Sequence, residues 1–214
     1  MRLKHLFVIY FTLSFGLCQG ENNEFNTSLF NTIPDSVCNK KSVELINAIK
    51  PIKCVYWQCI YVGTVLHVGE KGKVVVYNGD SLKYKRIANE YSATNYFLSG
   101  CHPGYCGYYI VAVIDSNNVK VYDNDNVSEF IGNIDNLEEM VLSTNIHGYR
   151  FSNDTIVRGS YLDCDSTYLL YVTELGYSPC YCSTKATLSK SGKFKLINKQ
   201  IISKNKNDSI FDLP

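Results

Sequence analysis

Histidine is scarce in this chain of 214 residues, which has four histidines, five prolines and one tryptophan against 17 tyrosines. After His5 come only His67, His102 and His147. Their spacing matches no general acid–base pair, since His67 alternates within an apparent strand and His102 stands in a Pro-Gly turn. The sequence therefore favours structural histidines over a histidine-dependent hydrolase.

An excess of charge of one sign and a membrane-spanning run are also missing. The chain has 21 basic and 20 acidic residues, a balance that argues against a dedicated nucleic-acid-binding protein. The longest apolar run, residues 6–17, ends before polar residue Glu21 and is shorter than the ~20 residues that a bilayer requires. We therefore expect no membrane anchor and no nucleic-acid partner.

The first twenty residues have the three parts of a secretory signal peptide. Arg2 and Lys4 precede the apolar run, and Cys18-Gln19-Gly20 follows it with small residues at its first and third positions. We predict cleavage after residue 20 and a secreted protein. The predicted organisation is a signal peptide (1–20), a polar N-terminal segment (21–35), a single disulfide-linked β-rich domain (36–203) and a polar tail (204–214).

Eight cysteines follow the predicted cleavage point: Cys38, Cys54, Cys59, Cys101, Cys106, Cys164, Cys180 and Cys182. An even number in an oxidising compartment predicts a disulfide framework, and the spacing leaves its connectivity open. The C-x4-C and C-x-C spacings differ from those of zinc modules, so no metal site is predicted. No cofactor is predicted either.

Four N-glycosylation motifs fit the same compartment. They begin at Asn26, Asn126, Asn153 and Asn207, each in a polar stretch of the kind that carries a glycan. The sequence therefore predicts a secreted glycoprotein.

One amphipathic helix is predicted near the start of the domain. Apolar residues recur at roughly helical spacing over residues 36–50, after a Pro-Asp-Ser start and before Pro51. A second, shorter helical pattern covers residues 135–142.

The rest of the chain is typical of β-structure, with short runs of Val, Ile, Tyr, Phe and Thr between turn residues. Predicted strands cover 54–68 (interrupted at Gly63), 73–77, 81–87, 95–98, 108–114, 119–122, 155–158, 168–174, 181–188 and 193–201. Hairpin turns are predicted at 69–72, at Asn78-Gly79, at 115–118 and at Ser191-Gly192. The predicted fold is mainly β, an antiparallel sandwich or barrel with one N-terminal helix, stabilised by disulfides.

Tyrosine and lysine provide the candidate binding residues. Tyr105, Tyr108 and Tyr109 cluster beside two cysteines, where they serve either the sheet packing or a binding face. Lys190, Lys193 and Lys195 belong to a basic C-terminal segment, which either meets an acidic partner such as a sulfated glycan or forms the solvent face of a hairpin.

One short motif is similar to a motif that carries a catalytic serine. Gly79-Asp80-Ser81-Leu82 follows an apolar run and resembles the nucleophile block of the GDSL (SGNH) esterases, which implies a nucleophilic role for Ser81 and an oxyanion role for Gly79. That family also has a later Gly-x-Asn-Asp block and a C-terminal Asp-x-x-His, and the sequence has neither. A cysteine nucleophile would require an unpaired thiol near a histidine.

These features favour a secreted, non-enzymatic glycoprotein that binds an extracellular or cell-surface protein or glycan. The many Asn, Lys, Ile and Tyr residues fit an AT-rich coding sequence, as in a virus- or parasite-encoded factor that engages its host. Two alternatives stay open. One is a small secreted hydrolase, GDSL-like or acid–base, and the other is a structural glycoprotein that acts as a disulfide-linked homo-oligomer.

Overall fold

The structure, a computed structural model, describes residues 29–63, 72–99, 106–115, 118–152, 159–175 and 181–203, with the side chains of residues 183–199 in the last range. In chain order the elements are β1 (Asn31–Thr32), α1 (Asp35–Cys38), α2 (Ser42–Asn47), β2 (Tyr56–Gly63), β3 (Lys73–Gly79), α3 (Ser81–Ala88), β4 (Cys106–Asp115), β5 (Asn118–Tyr122), α4 (Val127–Ile131), α5 (Leu137–Ile146), β6 (Tyr149–Arg150), β7 (Ser160–Cys164), β8 (Thr167–Glu174), β9 (Tyr181–Ser189) and β10 (Phe194–Ser203). The predicted signal peptide, the predicted strand at 155–158 and the predicted tail lie outside the described residues.

The fold is mostly β with two antiparallel sheets, as the sequence predicts. Neither sheet closes into a barrel among the described strands. The first sheet has the order β3-β2-β4-β5, and the second has the order β1-β7-β8-β9-β10 with β6 paired to β8.

The first sheet is covered on both faces because its central strands alternate between two apolar clusters. Trp57, Cys59 and Ile110 point into the main core, which also contains residues of the second sheet and the helices. Tyr56 and Val111 point the other way, into a smaller cluster that includes residues of α3. Both faces of β2 and β4 are therefore protected from water.

Helix α5 lies inside the protein. All six residues at 139–144 are buried, so every side of this helix is covered, as expected for a helix surrounded by other elements. It contacts α1, α2 and β6, and Met140 and Leu142 belong to the main core. The second predicted helix is thereby confirmed, shifted two to four residues along the chain.

Glu139 is a fully buried acid within α5. Its Oε1 accepts a hydrogen bond from the Lys50 backbone N–H at 2.7 Å, and its Oε2 accepts one from the Asp135 N–H at 3.1 Å. Two backbone donors thus satisfy a carboxylate that burial would otherwise penalise. The carboxylate ties the chain after α2 to the chain before α5.

The prediction of one continuous N-terminal helix over 36–50 is wrong, because this segment forms two separate helices, α1 and α2. The Lys41 N–H donates to Glu44 Oε2 at 2.7 Å and starts a new helix there. The apolar residues of both pieces still face inward, because Val37 and Ile46 belong to the main core.

The strand predicted over 81–87 and the hairpin predicted at Asn78-Gly79 are wrong, because the chain passes from β3 into helix α3. Asp80 caps that helix by accepting a hydrogen bond from the Lys83 N–H at 3.2 Å. Gly79 has φ +99°, a conformation that glycine adopts readily, and it redirects the chain between the two elements.

The predicted turn between β9 and β10 is confirmed, and four other parts of the chain hold it. The Lys190 carbonyl accepts a hydrogen bond from the Ile134 N–H at 2.7 Å, and the Lys190 N–H donates to the Ser166 carbonyl at 2.9 Å. Gly192 has φ +84°, and a Cβ there would lie 2.9 Å from Ser128 Cβ in α4. The fourth part is the His147 ring, whose Nε2 lies 3.2 Å from the Gly192 carbonyl oxygen.

Candidate functional site

A cleft of about 850 Å³ opens at the C-terminal end of α5, and we call it the α5 cleft. Its volume lies within the range of small-molecule sites. Its polar lining residues are Cys38, Asn39, Ser42, Ser99, Asn124, Asn145, His147, Arg150 and Ser152. They come from the α1–α2 region, the chain after α3, the β5–α4 turn, α5 and β6, so only the tertiary fold brings them together.

The end of α5 forms the floor of the cleft. The His147 N–H donates to the Ser143 carbonyl at 3.2 Å and ends the helix, and Gly148 then turns the chain at φ +83°. The Leu175 N–H donates to the Gly148 carbonyl at 2.7 Å, which ties this turn to the chain after β8.

The lining of the cleft combines polar side chains with apolar ones such as Ile146 and Phe151, and it carries positive charge. Arg150 lines it and is exposed, whereas no Asp or Glu is among the described residues of its wall. The Oδ1 atom of Asn145 is buried and has no hydrogen-bond partner among the described residues. A buried acceptor without a donor is costly, and the protein itself covers this atom.

Cys38, Asn145 and His147 line the same cleft, and Cys38 is a free thiol, as a cysteine nucleophile requires. The Cys38 thiol, however, donates to the Phe151 carbonyl at 3.1 Å, and His147 Nε2 donates to the Gly192 carbonyl at 3.2 Å. Burial first and then Asp35 raise the pKa of Cys38, although Arg150 lowers it in part. An activated nucleophile has a lowered pKa, so these contacts favour a structural thiol.

The three free thiols are expected to alkylate slowly in the folded protein. Burial raises the pKa of Cys38, of Cys54 and, most strongly, of Cys59, which lowers the fraction of reactive thiolate at pH 7.5. Iodoacetamide labelling followed by mass spectrometry should leave Cys59 unmodified and should modify Cys38 and Cys54 faster as the pH rises to 9.5. The urea-unfolded chain is the reference. Labelling of native Cys38 at pH 6 faster than in that reference would contradict this expectation and favour a nucleophile.

The prediction that all eight cysteines are bridged is wrong for Cys38, Cys54 and Cys59, which are free. Cys59 lies on the inward face of β2 with no exposed surface, so the core surrounds its thiol. Two others, Cys106 and Cys164, are disulfide-bonded, and the structure does not describe to which cysteine. The side chains at 101, 180 and 182 lie outside the described residues, and their bridging stays a prediction.

Among the predicted glycosylation sites, Asn126 is the one that the structure describes. It is half-buried, its Oδ1 accepts from the Asp123 N–H at 2.8 Å, and its Nδ2 donates to the Val121 carbonyl at 3.2 Å. A glycan on Nδ2 would leave a single N–H for that bond. The other sites, Asn26, Asn153 and Asn207, lie outside the described residues, so glycosylation stays a prediction.

The described tyrosines of the predicted binding cluster pack within the protein. Tyr109 is 7% exposed and its ring centroid lies 6.0 Å from that of Tyr96. The Tyr108 ring is half-buried, 5.1 Å from that of Tyr61. Tyr105 lies outside the described residues. A binding role for this cluster stays a prediction.

The basic C-terminal residues divide into two kinds. Lys190 pairs with Asp163 at 3.1 Å and lies 5.2 Å from the centre of the Tyr168 ring, and the hydrogen bond to Asp163 raises its pKa. Lys193 and Lys195 are exposed at the start of the β10 hairpin arm. The exposure of these two lysines is what the solvent-facing side of a hairpin would show. An acidic partner for them stays a prediction.

Ser81 opens helix α3, and the structure does not bring a described histidine to it. His147 instead stacks on Phe194 of the second sheet, with ring centroids 5.0 Å apart, while His67 and His102 lie outside the described residues. The resemblance to the GDSL esterases is thus limited to Gly79-Asp80-Ser81-Leu82.

The part of the chain that the structure describes has no group of three or more His, Cys, Asp or Glu residues suited to a metal ion. Within those same ranges, every helix is too short or too polar to cross a bilayer. Comparison of the chain with protein-family models, with curated proteins and with solved structures found no match.

Proposed function

We propose that the protein is a secreted, non-enzymatic glycoprotein that binds an extracellular or cell-surface partner through the α5 cleft. The observation that carries this proposal is the cleft itself, whose wall places polar side chains from five separate parts of the chain among apolar ones. Its thiol and imidazole are each hydrogen-bonded to a backbone carbonyl. Such a wall suits recognition by several placed hydrogen bonds.

The test is binding of the purified, glycosylated protein to cell surfaces, measured by flow cytometry. Asn124 lines the cleft and is exposed, so Asn124→Trp would fill the site without disturbing the core. Binding is expected to fall at least about tenfold, equivalent to ~1.4 kcal/mol. Asn133 is also exposed but lies outside the cleft wall, so the matched control Asn133→Trp should bind as the wild type does.

Equal binding by the wild type and both variants would show that the cleft is not the contact surface. A parallel titration in 0.5 M NaCl tests the exposed lysines of the β10 arm, since salt at this concentration screens surface charges. If the wild type loses binding in salt while Asn124→Trp binds as well as the wild type, the contact surface is formed by Lys193 and Lys195 instead of the cleft.

The two alternatives have their own tests. Ester, phosphodiester and peptide substrates would reveal a hydrolase, and activity that Ser81→Ala abolishes would overturn the non-enzymatic proposal. Reducing and non-reducing gels test the disulfide-linked oligomer, and a single monomeric band under both conditions would remove that alternative.

A further inference from the structure

We propose that strand β10 is a second interaction surface, which binds an extended acidic segment of a partner protein as an additional strand. We call residues 193–199, where this strand begins, the β10 edge. None of them lines the α5 cleft, so the inference goes beyond the proposed function and does not depend on it. Three features carry it: an open backbone edge, exposed apolar side chains, and exposed lysines.

The backbone of β10 has a strand beside it on one side only. β10 is the last strand of the second sheet and pairs with β9, and no described strand lies on its other side. The Lys193 carbonyl accepts a hydrogen bond from the Ser189 N–H at 2.8 Å. The Lys195 carbonyl accepts one from Thr187 Oγ1 at 3.5 Å, so both carbonyls face β9. Backbone groups of successive residues alternate between the two sides of an antiparallel strand, so the N–H and C=O groups of Leu196 point to the open side.

The side chains of the β10 edge are exposed on both faces of the sheet. Residues 195–199 are all exposed, although successive side chains of a strand point to opposite faces. Leu196 is 50% exposed and Ile197 is 47% exposed, and no other two consecutive large apolar residues are exposed in the ranges that the structure describes. β9 lies between two strands, and its Ala186, opposite Leu196, has no exposed surface. A strand beside β10 would cover Leu196 and Ile197 in the same manner.

Lysines determine the charge of this surface. The sequence has no Asp or Glu from residue 175 to residue 207. Lys199 pairs with Glu174 of β8 at 2.7 Å. Lys193 and Lys195 are exposed, and none of the four ion pairs among the described residues includes either of them. Opposite charges on paired strands are favourable and like charges are unfavourable, so the β10 edge favours an acidic strand.

The same lysines argue against a second copy of β10 as the occupant. Two β10 edges side by side would bring their lysines together with no acid on either strand. A β-bulge at Ile197, where the register with β9 shifts, also interrupts the long, flat edge that pairing between copies requires. Lysines and bulges are the means by which edge strands avoid indiscriminate pairing. A short acidic segment meets neither obstacle.

The two faces of the β10 edge differ in chemistry, and this difference favours a peptide over a sulfated glycan. By the alternation of side chains, Lys193 and Lys195 share one face, and Leu196 lies on the other. A strand that alternates acidic and apolar residues would place its acids beside the lysines and its apolar side chains beside Leu196. A sulfated glycan would pair with the lysines alone and would leave Leu196 and the open backbone edge uncovered.

The experiment is an NMR titration of the full glycosylated chain with four probes: a peptide of alternating Glu and Val, a peptide of alternating Lys and Val, the Glu–Val peptide with every backbone amide methylated, and a heparin tetrasaccharide. The Glu–Val peptide is expected to bind at least about tenfold more tightly than the other two peptides. It should also slow hydrogen exchange at the Leu196 amide, because that N–H then donates to the added strand.

Four results would overturn the inference. They are equal binding of the methylated peptide, binding of the Glu–Val peptide without slower exchange at Leu196, binding of heparin without binding of the Glu–Val peptide, and no binding by any probe. The first and third would show that charge alone accounts for the interaction.

Charge variants test the lysines. The double variant Lys193→Gln with Lys195→Gln should bind the Glu–Val peptide about threefold or more weakly, because it loses two opposite-charge pairs between strands. Lys85→Gln, on an exposed residue of α3, is the matched charge control and should bind as the wild type does. Equal affinities of the double variant and the wild type would contradict the role of the lysines.

A proline variant tests the open backbone edge. Leu196→Pro removes the N–H that points away from β9, a position at which an edge strand tolerates proline, and should weaken the Glu–Val peptide at least about tenfold. Leu196→Ala keeps this N–H and should bind with an affinity between those of Leu196→Pro and the wild type. Wild-type affinity in Leu196→Pro at an unchanged Tm would refute the backbone contact. If Leu196→Pro lowers Tm, the alanine and lysine variants decide.

This outcome is separable from that of the cell-surface test. If Asn124→Trp abolishes cell binding while the Glu–Val peptide does not bind the wild type, the inference fails and the proposed function stands. If the Glu–Val peptide binds at β10 and Asn124→Trp leaves cell binding intact, the inference stands and the proposed role of the cleft in cell binding fails.

Discussion

Replacing Glu139 by alanine is expected to lower the free energy of unfolding by about 2 kcal/mol or more, because two partly buried backbone donors lose their acceptor at about 1 kcal/mol or more each. Those donors are the N–H groups of Lys50 and Asp135, at 2.7 and 3.1 Å from the carboxylate. The replacement also leaves a void in a helix that is covered on every side. Urea unfolding followed by circular dichroism measures the change.

The neighbouring residue provides the control. Glu138 pairs with Lys40 at 2.7 Å, and both side chains are partly exposed, so Glu138→Ala should cost less than about 1 kcal/mol. The hydrogen bond from Lys40 lowers the pKa of Glu138, so that small contribution is present above the ordinary pKa of the acid and is lost as the pH falls. Equal losses in the two alanine variants would refute the assigned role of Glu139.

Truncating Phe130 to alanine is expected to cost about 3–5 kcal/mol, the range for a buried aromatic residue whose removal leaves a cavity. Phe130 has no exposed surface. Its ring centroid lies 5.3 Å from that of Trp57 and 5.2 Å from that of Tyr122, so it joins α4 to two strands of the first sheet. Guanidinium unfolding monitored by Trp57 fluorescence reports both the loss of stability and the change at this contact.

Leu82 is the matched control for this truncation. It is also a large apolar residue in a helix, but its side chain is 98% exposed, so Leu82→Ala should change stability by no more than about 0.5 kcal/mol. A loss at Leu82 comparable with that at Phe130 would mean that Leu82 is covered in the folded protein.

The strands were the most predictable part of the fold. Observed β4, β5, β8 and β9 lie within two residues of the predicted ranges at 108–114, 119–122, 168–174 and 181–188. These runs combine β-branched and aromatic residues with clear turn residues at their ends. Strand β7 was missed, because Ser160–Cys164 is short and carries an Asp and a Ser.

The error over 81–87 has a specific physical cause. Leu82 and Tyr84 alternate with polar residues as in a strand, but Leu82 is almost fully exposed and contributes nothing to burial. The decisive residue is Asp80, which caps the helix through the Lys83 N–H, and basic residues complete the last turn. The helix cap at Asp80, and not the alternation of apolar residues, therefore decides the structure of this segment.

The candidate site was not predictable in the same way. Arg150 and Asn145 are five residues apart, but the rest of the wall comes from positions as distant as Asn39 and Asn124. No motif links these positions, and the missing donor at Asn145 is a property of the folded environment. The sequence did identify Cys38 and His147, although for other roles than the lining of one cleft.

The contacts that hold the turn between β9 and β10 have a practical consequence for protein engineering. Hairpin tips are ordinarily favoured places for epitope tags, fluorophores or circular permutation. Here, both backbone groups of Lys190 are already used by Ile134 and Ser166, and Gly192 has no room for a side chain beside Ser128. A peptide inserted at this tip would pull apart four distant regions of the polypeptide at once.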